Sequence, residues 1–211
     1  MSQPTKRLED LDPIGDVDKE RGEFWIPNPF TVNLTPRNLS SYEPNQVFLN
    51  MAKGYFADIG YLSGADSEGD GRGVMVADFI DDLQPDLLVL QSGGGPLRLF
   101  ANRFPPSSRL VVSLVGKESN RFGIGASVIA EVKGRRLMRQ MFPTNNFSAA
   151  QASQVRFGLG QAQKVDRLLV KWPFGKTQEF RSVPVGAHIR ITEGQSEFEV
   201  LSTGQAPSEN P

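Results

Sequence analysis

The sequence contains no cysteine and only one histidine, His188. Without thiols the chain forms no disulfide, offers no thiolate nucleophile and builds no cysteine-ligated zinc site. A single imidazole leaves little scope for histidine-based catalysis. The alternating pattern of GAHIRITEG predicts that His188 is a surface or half-buried strand side chain rather than a general base.

Long apolar runs and an excess of one charge are also missing. No stretch reaches the roughly 18 apolar residues of a membrane-spanning helix, and the N-terminal segment MSQPTKRLEDLDPIGDVDKERGEF is charged where a signal peptide is apolar. Lys and Arg number 23 against 24 Asp and Glu, so no basic field is present to hold a nucleic acid. We therefore expect neither a transmembrane segment nor a nucleic-acid partner.

Glycine and proline are abundant, with 21 and 15 residues, and they separate short apolar segments in the second half of the chain. This spacing predicts an all-β fold, an antiparallel β-sandwich or barrel with little helix. Only SAAQASQV has a composition suited to a helical turn. The strand candidates are RLVVSLVG, GASVIAEVKG, RRLMRQMF, VRFGLG, VDRLLVKWP, KTQEFRSV and HIRITEG.

The first half predicts about one four-stranded antiparallel sheet. NQVFLNMAKGYFADIG has the pattern of a hairpin, with Gly54 where a positive φ is needed. RGVMVADF, PDLLVLQ and PLRLFANR are further strands, and the apolar run of PDLLVLQ indicates burial on both faces. We expect this sheet either to pack beside the sandwich or to be covered by another chain.

Two glycine-containing turns stand out in the second half. In WPFGK, Pro173 presets the first turn position and Gly175 suits the left-handed position of a three-residue hairpin loop, while Trp172 is expected in the core. In SNRFGIGA, Gly123 and Gly125 predict a sharp turn into the next strand, with Asn120 and Arg121 holding the loop by hydrogen bonds.

The linked motifs SNRFGIGASVIAEV, FGLG, VDRLLVKWPFGKTQEF and IRITEG resemble the ASPIC and UnbV domain over about residues 109–194. The preceding stretch, from NQVFLNMAKGYFADIG to GADSEGDGRGVMVADFIDDLQPDLLVL, resembles a propeller repeat of the FG-GAP or VCBS type. The resemblance implies an extracytoplasmic or envelope-associated module with no established reaction. Propellers of four to eight blades are typical, whereas this chain has strands for one.

These patterns divide the chain into five segments. We expect a flexible polar tail over residues 1–23 and an irregular arm over 24–44. The propeller-like blade occupies 45–104 and the ASPIC/UnbV-like domain occupies 105–195. A C-terminal tail follows over 196–211.

An acidic loop follows the strand RGVMVADF. Propeller repeats carry calcium loops of the form D-x-D-x-D-G-x-x-D, and Asp78, Asp82 and Asp86 fall on its first, fifth and ninth positions. Ile80 replaces a carboxylate and Leu83 replaces the glycine. The loop is therefore either a weak calcium site or a turn whose aspartates accept backbone hydrogen bonds.

A second acidic stretch, DSEGDGRG, places Asp66, Glu68 and Asp70 at alternate positions before a glycine. These residues either share a calcium site with Asp78 or form a solvated loop. The adjacent pair Asp81 and Asp82 suggests acid–base chemistry of the glycosidase type, but neighbouring strand residues point to opposite faces. A hydrolase is the least favoured class.

Two functions remain open at the level of sequence. The first is a noncatalytic module that binds a protein or a glycan, for which Phe147 and Phe174 at loop tips are candidate contacts. Both side chains could equally fold back onto the sheet. The second is a permanent accessory or scaffold subunit of a larger assembly, with no cofactor other than possible calcium.

Overall fold

The computed structural model describes residues 44–51, 53–67, 71–91, 96–144 and 149–204. It confirms the all-β prediction. The strands are β1 (Phe48–Asn50), β2 (Phe56–Asp58), β3 (Gly71–Ala77), β4 (Asp86–Gln91), β5 (Arg98–Phe100), β6 (Ser108–Val115), β7 (Ser127–Val132), β8 (Arg135–Gln140), β9 (Gln154–Gly160), β10 (Lys164–Lys171), β11 (Thr177–Pro184), β12 (Ala187–Thr192) and β13 (Phe198–Thr203).

The described part of the chain contains one helix, α1 (Gly60–Ser63). The Asp58 side chain accepts a hydrogen bond from the Gly60 N–H at 2.9 Å, and Gly64 ends the helix at φ +68°. The segment SAAQASQV, whose composition suits a helical turn, has no helix over its described residues 149–155, and β9 begins at Gln154. Within the described residues no helix has the length or apolarity to traverse a bilayer.

The described residues form two compact units. The first contains the residues up to Val74 and Leu88–Phe100, and the second contains Met75–Leu87 and the residues from Ala101 onward. The five strands of the first half form a two-stranded sheet, β1-β2, and a three-stranded sheet, β3-β4-β5. The predicted single sheet of four strands was therefore wrong.

Two details of this first half were predicted with different success. The hairpin of β1 and β2 pairs Leu49 with Ala57, and Gly54 has φ +83° as expected. In β4, however, Leu90 is 45% exposed. The continuous apolar run in PDLLVLQ therefore does not mark a strand that is buried on both faces.

The second unit is a sandwich of two four-stranded sheets, ordered β11-β10-β7-β8 and β13-β12-β6-β9. Alternate residues of each strand point into one core. In β6 these are Leu110, Val112 and Leu114, and β7 contributes Val128 and Ala130 from the other sheet. The seven strand candidates of the second half are confirmed.

The sandwich departs from the sequence prediction at two strands. β12 pairs with β6 in parallel, because the chain crosses to the second sheet after β11 and returns beside β6. Residues 198–203, expected to lie in a tail, form the edge strand β13. Phe198 packs against the core, with its ring centroid 5.9 Å from that of Phe180, so an apolar anchor holds the strand in place.

Candidate functional site

The acidic loop of residues 78–86 is closed by its own carboxylates. Asp78 accepts hydrogen bonds from the N–H groups of Asp82 at 3.1 Å and Leu83 at 2.7 Å. Asp86 is fully buried and accepts two more at 2.8 Å, from Phe79 N–H and Asn102 N–H. These are the hydrogen bonds expected of a structural turn.

Asp82 has a similar role. Its two carboxylate oxygens accept hydrogen bonds from the backbone and side-chain N–H groups of Gln84, at 2.7 and 3.2 Å. Its backbone carbonyl accepts a bond from Arg109 Nη1 at 3.3 Å, which ties the loop to the start of β6. All three aspartates thus support the loop itself.

The calcium hypothesis stays a prediction. Asp66 lies half-buried in the first unit, while Asp78, Asp82 and Asp86 belong to the second. Glu68 and Asp70 lie outside the described residues. Within the ranges that the structure describes, no group of three His, Asp or Glu side chains is arranged to hold a metal ion.

Leu83 occupies the position where a calcium loop has glycine. Its φ is +62°, in the left-handed region that favours glycine, so the turn forms without the expected residue. The side chain is only 6% exposed. A β-carbon on Gly204 would lie 2.7 Å from Leu83 Cδ1, which shows that Leu83 packs directly against the backbone there. Burial of the side chain thus compensates for backbone strain.

Because of this balance, we expect glycine to be better tolerated than alanine at position 83. We expect Leu83→Gly to lower the free energy of unfolding by about 1–3 kcal/mol, because lost burial is partly offset by relief of about 1 kcal/mol of left-handed strain. Leu83→Ala keeps the strain and should cost more. Urea titration would measure both variants. At Leu110, which is buried in a regular strand, the order should reverse, and the same order at both sites would contradict this account of Leu83.

The sheet face opposite the core carries a mixed polar cluster. Burial lowers the pKa of Arg156, and the carboxylates of Asp78 and Asp86 partly offset that effect. Arg156 donates through Nη2 to Gln154 Oε1 at 3.0 Å, whereas its buried Nη1 has no hydrogen-bond partner in the described part of the chain. The acidic loop therefore lies in the electrostatic field of a basic sheet face.

His188 lies on this face, half-buried as predicted. Its Nε2 is 2.8 Å from Ser113 Oγ, across the parallel pairing of β12 with β6. Burial first, and then the charges of Arg156 and Arg190, lower the pKa of the imidazole, which favours its neutral form. The pair resembles a nucleophile and base in distance alone.

The loop between β6 and β7 carries two exposed apolar side chains, Phe122 (48% exposed) and Ile124 (39%). Asn120 holds the loop as predicted, accepting from Ile124 N–H and donating to Ile124 C=O, both at 2.8 Å. Arg121 contributes differently: its backbone carbonyl accepts from Gly116 N–H and its guanidinium lies 5.4 Å from the Phe122 ring centroid.

Both glycines of this loop have positive φ, +62° for Gly123 and +93° for Gly125, at the sharp turn that the sequence predicts. Gly125 donates to Met141 C=O at 2.9 Å, and Met141 donates to Ala126 C=O at 2.8 Å. Two residues thus oppose one, which is a β-bulge with glycine in its first position. The bulge turns the loop outward at the end of the sandwich.

The hairpin of β10 and β11 lies beside this loop. Trp172 donates to Lys176 C=O at 2.8 Å and Gly175 has φ +87°, which confirms the three-residue hairpin loop. Trp172 is buried in the core as predicted. Pro173 lies next to the bulge, since its Cγ would be 3.6 Å from a β-carbon on Gly125. At the tip, Phe174 is 72% exposed, so this aromatic side chain faces solvent.

We call the exposed apolar residues at this end of the sandwich the loop-end surface. The set consists of Phe122, Ile124, Phe142 and Phe174. Phe142 joins it because Met141 is hydrogen-bonded to the bulge. Of these residues the sequence singled out Phe174, and the other candidate, Phe147, lies outside the described residues. The missed signal was the alternation of apolar residues with glycines in Phe122-Gly123-Ile124-Gly125, which places large apolar side chains in a turn.

Glu193 holds the start of the β6–β7 loop at the same end of the sandwich. Its Oε2 accepts hydrogen bonds from the N–H groups of Lys117, Glu118 and Ser119 at 2.8–2.9 Å, and its Oε1 accepts one from Ser119 Oγ at 3.0 Å. Burial by itself raises the pKa of Glu193, but these bonds outweigh it and leave the pKa below its ordinary value. Sequence reasoning assigned no role to this residue.

Comparison with known families identifies part of the second unit. A family model described as ASPIC and UnbV matches residues 116–198. The match covers β7 to β12 and includes the whole loop-end surface and Glu193. The sandwich itself extends beyond it on both sides, since β6 and β13 complete one of its sheets. A search of curated proteins gives no match.

Proposed function

We propose that the sandwich is a noncatalytic recognition module that binds a partner protein through the loop-end surface. The observation that carries the proposal is that three chain segments which meet at the Gly125 bulge each carry exposed apolar side chains: the bulged loop, the residues after β8 and the tip of the β10–β11 hairpin. Loop tips on a rigid scaffold are common sites of recognition. Grouped apolar residues in water are unfavourable unless a partner covers them.

The rigidity of these segments supports the proposal. The Asn120 side chain, the Gly125 bulge and the Glu193 carboxylate each fix the loop by hydrogen bonds. A preorganised surface loses little conformational entropy on binding. A sugar also needs polar partners for its hydroxyl groups, and all four side chains of the loop-end surface are hydrocarbon, which favours an apolar protein side chain over a glycan as the occupant.

Comparative capture tests this function. The double variant Phe122→Ser/Phe174→Ser should retain at least about tenfold less of the proteins bound by the unchanged chain, since each buried aromatic contact is worth about 1–2 kcal/mol. Phe104→Ser is the matched control, because Phe104 is a 53% exposed aromatic outside the loop-end surface. The proposal would be refuted if the double variant captured as much protein as the unchanged chain. It would also be refuted if the substitutions abolished binding of a glycan and left protein capture unchanged.

A second candidate function is that of a permanent subunit in a larger assembly. The first unit favours it: Phe48, Tyr55, Phe56, Tyr61 and Leu62 are each more than half exposed. A two-stranded sheet such as β1-β2 is marginal on its own. The resemblance of this region to a single FG-GAP or VCBS-type repeat belongs to the same proposal. Native mass spectrometry of material purified from its source should then give one complex of fixed stoichiometry, and a free monomer would exclude it.

A further inference from the structure

We propose that the outer edge of β8 receives an extended, acidic segment of the partner protein as an added β-strand. This inference deepens the proposed function and rests on it, since it specifies the chemistry of the partner. Strand addition supplies affinity through backbone hydrogen bonds and specificity through side chains at alternate positions. The argument has three parts: the direction of the backbone groups of β8, its charge, and its continuity with the loop-end surface.

β8 is the outer strand of its sheet and has β7 as its one hydrogen-bonded neighbour among the described strands. The two strands are joined by Lys133 and Gly134, both at positive φ, in a two-residue turn. Such a turn closes on a hydrogen-bonded pair, here Val132 with Arg135. Along β7 and β8, residue pairs with hydrogen bonds then alternate with residue pairs without them. Arg136, Met138 and Gln140 belong to the second kind, so their N–H and C=O groups point away from β7.

The other end of β8 gives the same alternation independently. Met141 directs both its N–H and its C=O toward the chain that enters β7, so the residue before it, Gln140, faces outward. Arg139 Nη1 donates to Met138 C=O at 2.9 Å, which is possible because that carbonyl points to the free edge. Among the described residues the edge thus presents outward N–H donors at Arg136, Met138 and Gln140, while the Met138 carbonyl accepts from Arg139 until a partner strand displaces that side chain.

Charge selects the occupant. β8 carries three exposed arginines, Arg135, Arg136 and Arg139, and no acidic residue. Cationic side chains on an edge repel basic segments and disfavour neutral strands, which protects the edge from self-association. The same charges attract an acidic strand. The edge strand β11 at the far side of this sheet differs, since its Arg181 is paired with Glu179 at 2.7 Å.

The edge runs directly into the loop-end surface. Met138 is 61% exposed and Phe142, two residues beyond the strand, is 51% exposed. A partner segment paired with β8 can therefore place its acidic side chains near the arginines and deliver an apolar residue to the loop-end surface. One partner segment would satisfy both features, which explains why an exposed edge and an exposed apolar patch adjoin in this fold.

A labelled peptide provides the test. The probe is a nine-residue peptide of alternating Glu and Val that ends in Phe, and its control has Lys in place of Glu. We expect the acidic probe to bind the full chain at least tenfold more tightly than the control, with affinity falling as salt is raised. Hydrogen exchange should slow at the amides of residues 136, 138 and 140. Equal affinity for the two probes, or binding of the acidic probe without amide protection, would overturn the proposal.

Two variants separate strand addition from simple charge attraction. Met138→Pro removes an outward N–H without removing a bond to β7, and should weaken binding of the acidic probe at least tenfold. Should this variant fail to fold in a thermal melt, amide protection at residues 136, 138 and 140 still reports strand addition, and Arg135→Glu/Arg136→Glu measures the contribution of charge. If a folded variant binds the acidic probe with unchanged affinity, the β8 edge is not the site. Binding of a sulfated glycan, but not of the acidic peptide, would also refute the proposal.

The test also distinguishes the two proposals from each other. The variant Phe122→Ser/Phe174→Ser leaves β8 intact, so strand addition predicts that it retains amide protection by the acidic probe. If the edge proposal alone is wrong, capture of the partner protein will still depend on the loop-end surface. If the loop-end proposal alone is wrong, the peptide will bind and capture will be insensitive to the serine substitutions.

Discussion

Glu193→Ala is expected to lower the free energy of unfolding by about 3 kcal/mol. The carboxylate is 5% exposed and accepts four hydrogen bonds from the segment Lys117–Ser119. Its removal leaves the buried N–H and hydroxyl groups of Ser119 without their acceptor, and unsatisfied buried donors are costly. Glu199→Ala is the matched control, because Glu199 forms an exposed salt bridge with Arg190 at 3.0 Å and should change stability by less than about 0.5 kcal/mol.

The pH dependence of stability gives a second measurement on Glu193. Its folded pKa lies below the ordinary value, so the native state favours the ionised carboxylate. The stabilisation is complete above the unfolded pKa of about 4.3 and is lost as pH falls through the folded pKa. Urea titrations between pH 6 and 3 should show a shallower acid decline for Glu193→Gln than for the unchanged chain. Parallel curves would exclude this role.

Gly123→Ala is expected to lower the free energy of unfolding by about 2–4 kcal/mol. Two costs add: φ is +62°, and a β-carbon would lie 2.8 Å from Leu114 Cβ and 3.1 Å from Trp172 Cζ3. Left-handed strain contributes about 1 kcal/mol, and overpacking of the core supplies the rest. Chemical denaturation would measure the change.

Gly134→Ala separates these two costs. Gly134 also has positive φ, at +75°, but nothing lies within 4 Å of its β-carbon position. Its replacement should therefore cost about 1 kcal/mol from backbone strain alone. Equal effects at the two glycines would show that the fit of Gly123 against Leu114 and Trp172 does not matter. The Gly123 variant should also weaken partner capture, because this glycine positions Phe122 and Ile124.

Features that depend on interactions within a few residues could be predicted from the sequence. Pro173 and Gly175 specify their hairpin through the dihedral angles that proline imposes and glycine allows, and the loop has the predicted form. Asn120 caps its own loop within four residues. Leu83 shows the limit of such reasoning: the rule that a left-handed position needs glycine failed, because burial against Gly204 outweighs the strain.

Contacts between residues that are distant in the sequence could not be predicted from it. Ser113 and His188 meet across 75 residues, and Glu193 reaches Ser119 across 74. Both contacts depend on β12 crossing to lie parallel to β6, and no local pattern specifies which strand a crossing chain joins. The exposure of Phe122 and the outward direction of the β8 backbone follow from the same topology.

The sequence by itself determined an all-β chain with short strands, two glycine-dependent loops and an acidic turn, because period, turn chemistry and capping act over a few residues. Only the tertiary structure decided which strands share a sheet and that β13 completes one. It also decided that the Asp78 and Asp86 carboxylates face backbone N–H groups, and that three loops bring their apolar side chains to one end. These outcomes depend on burial and on contacts between distant segments, which a linear pattern does not encode.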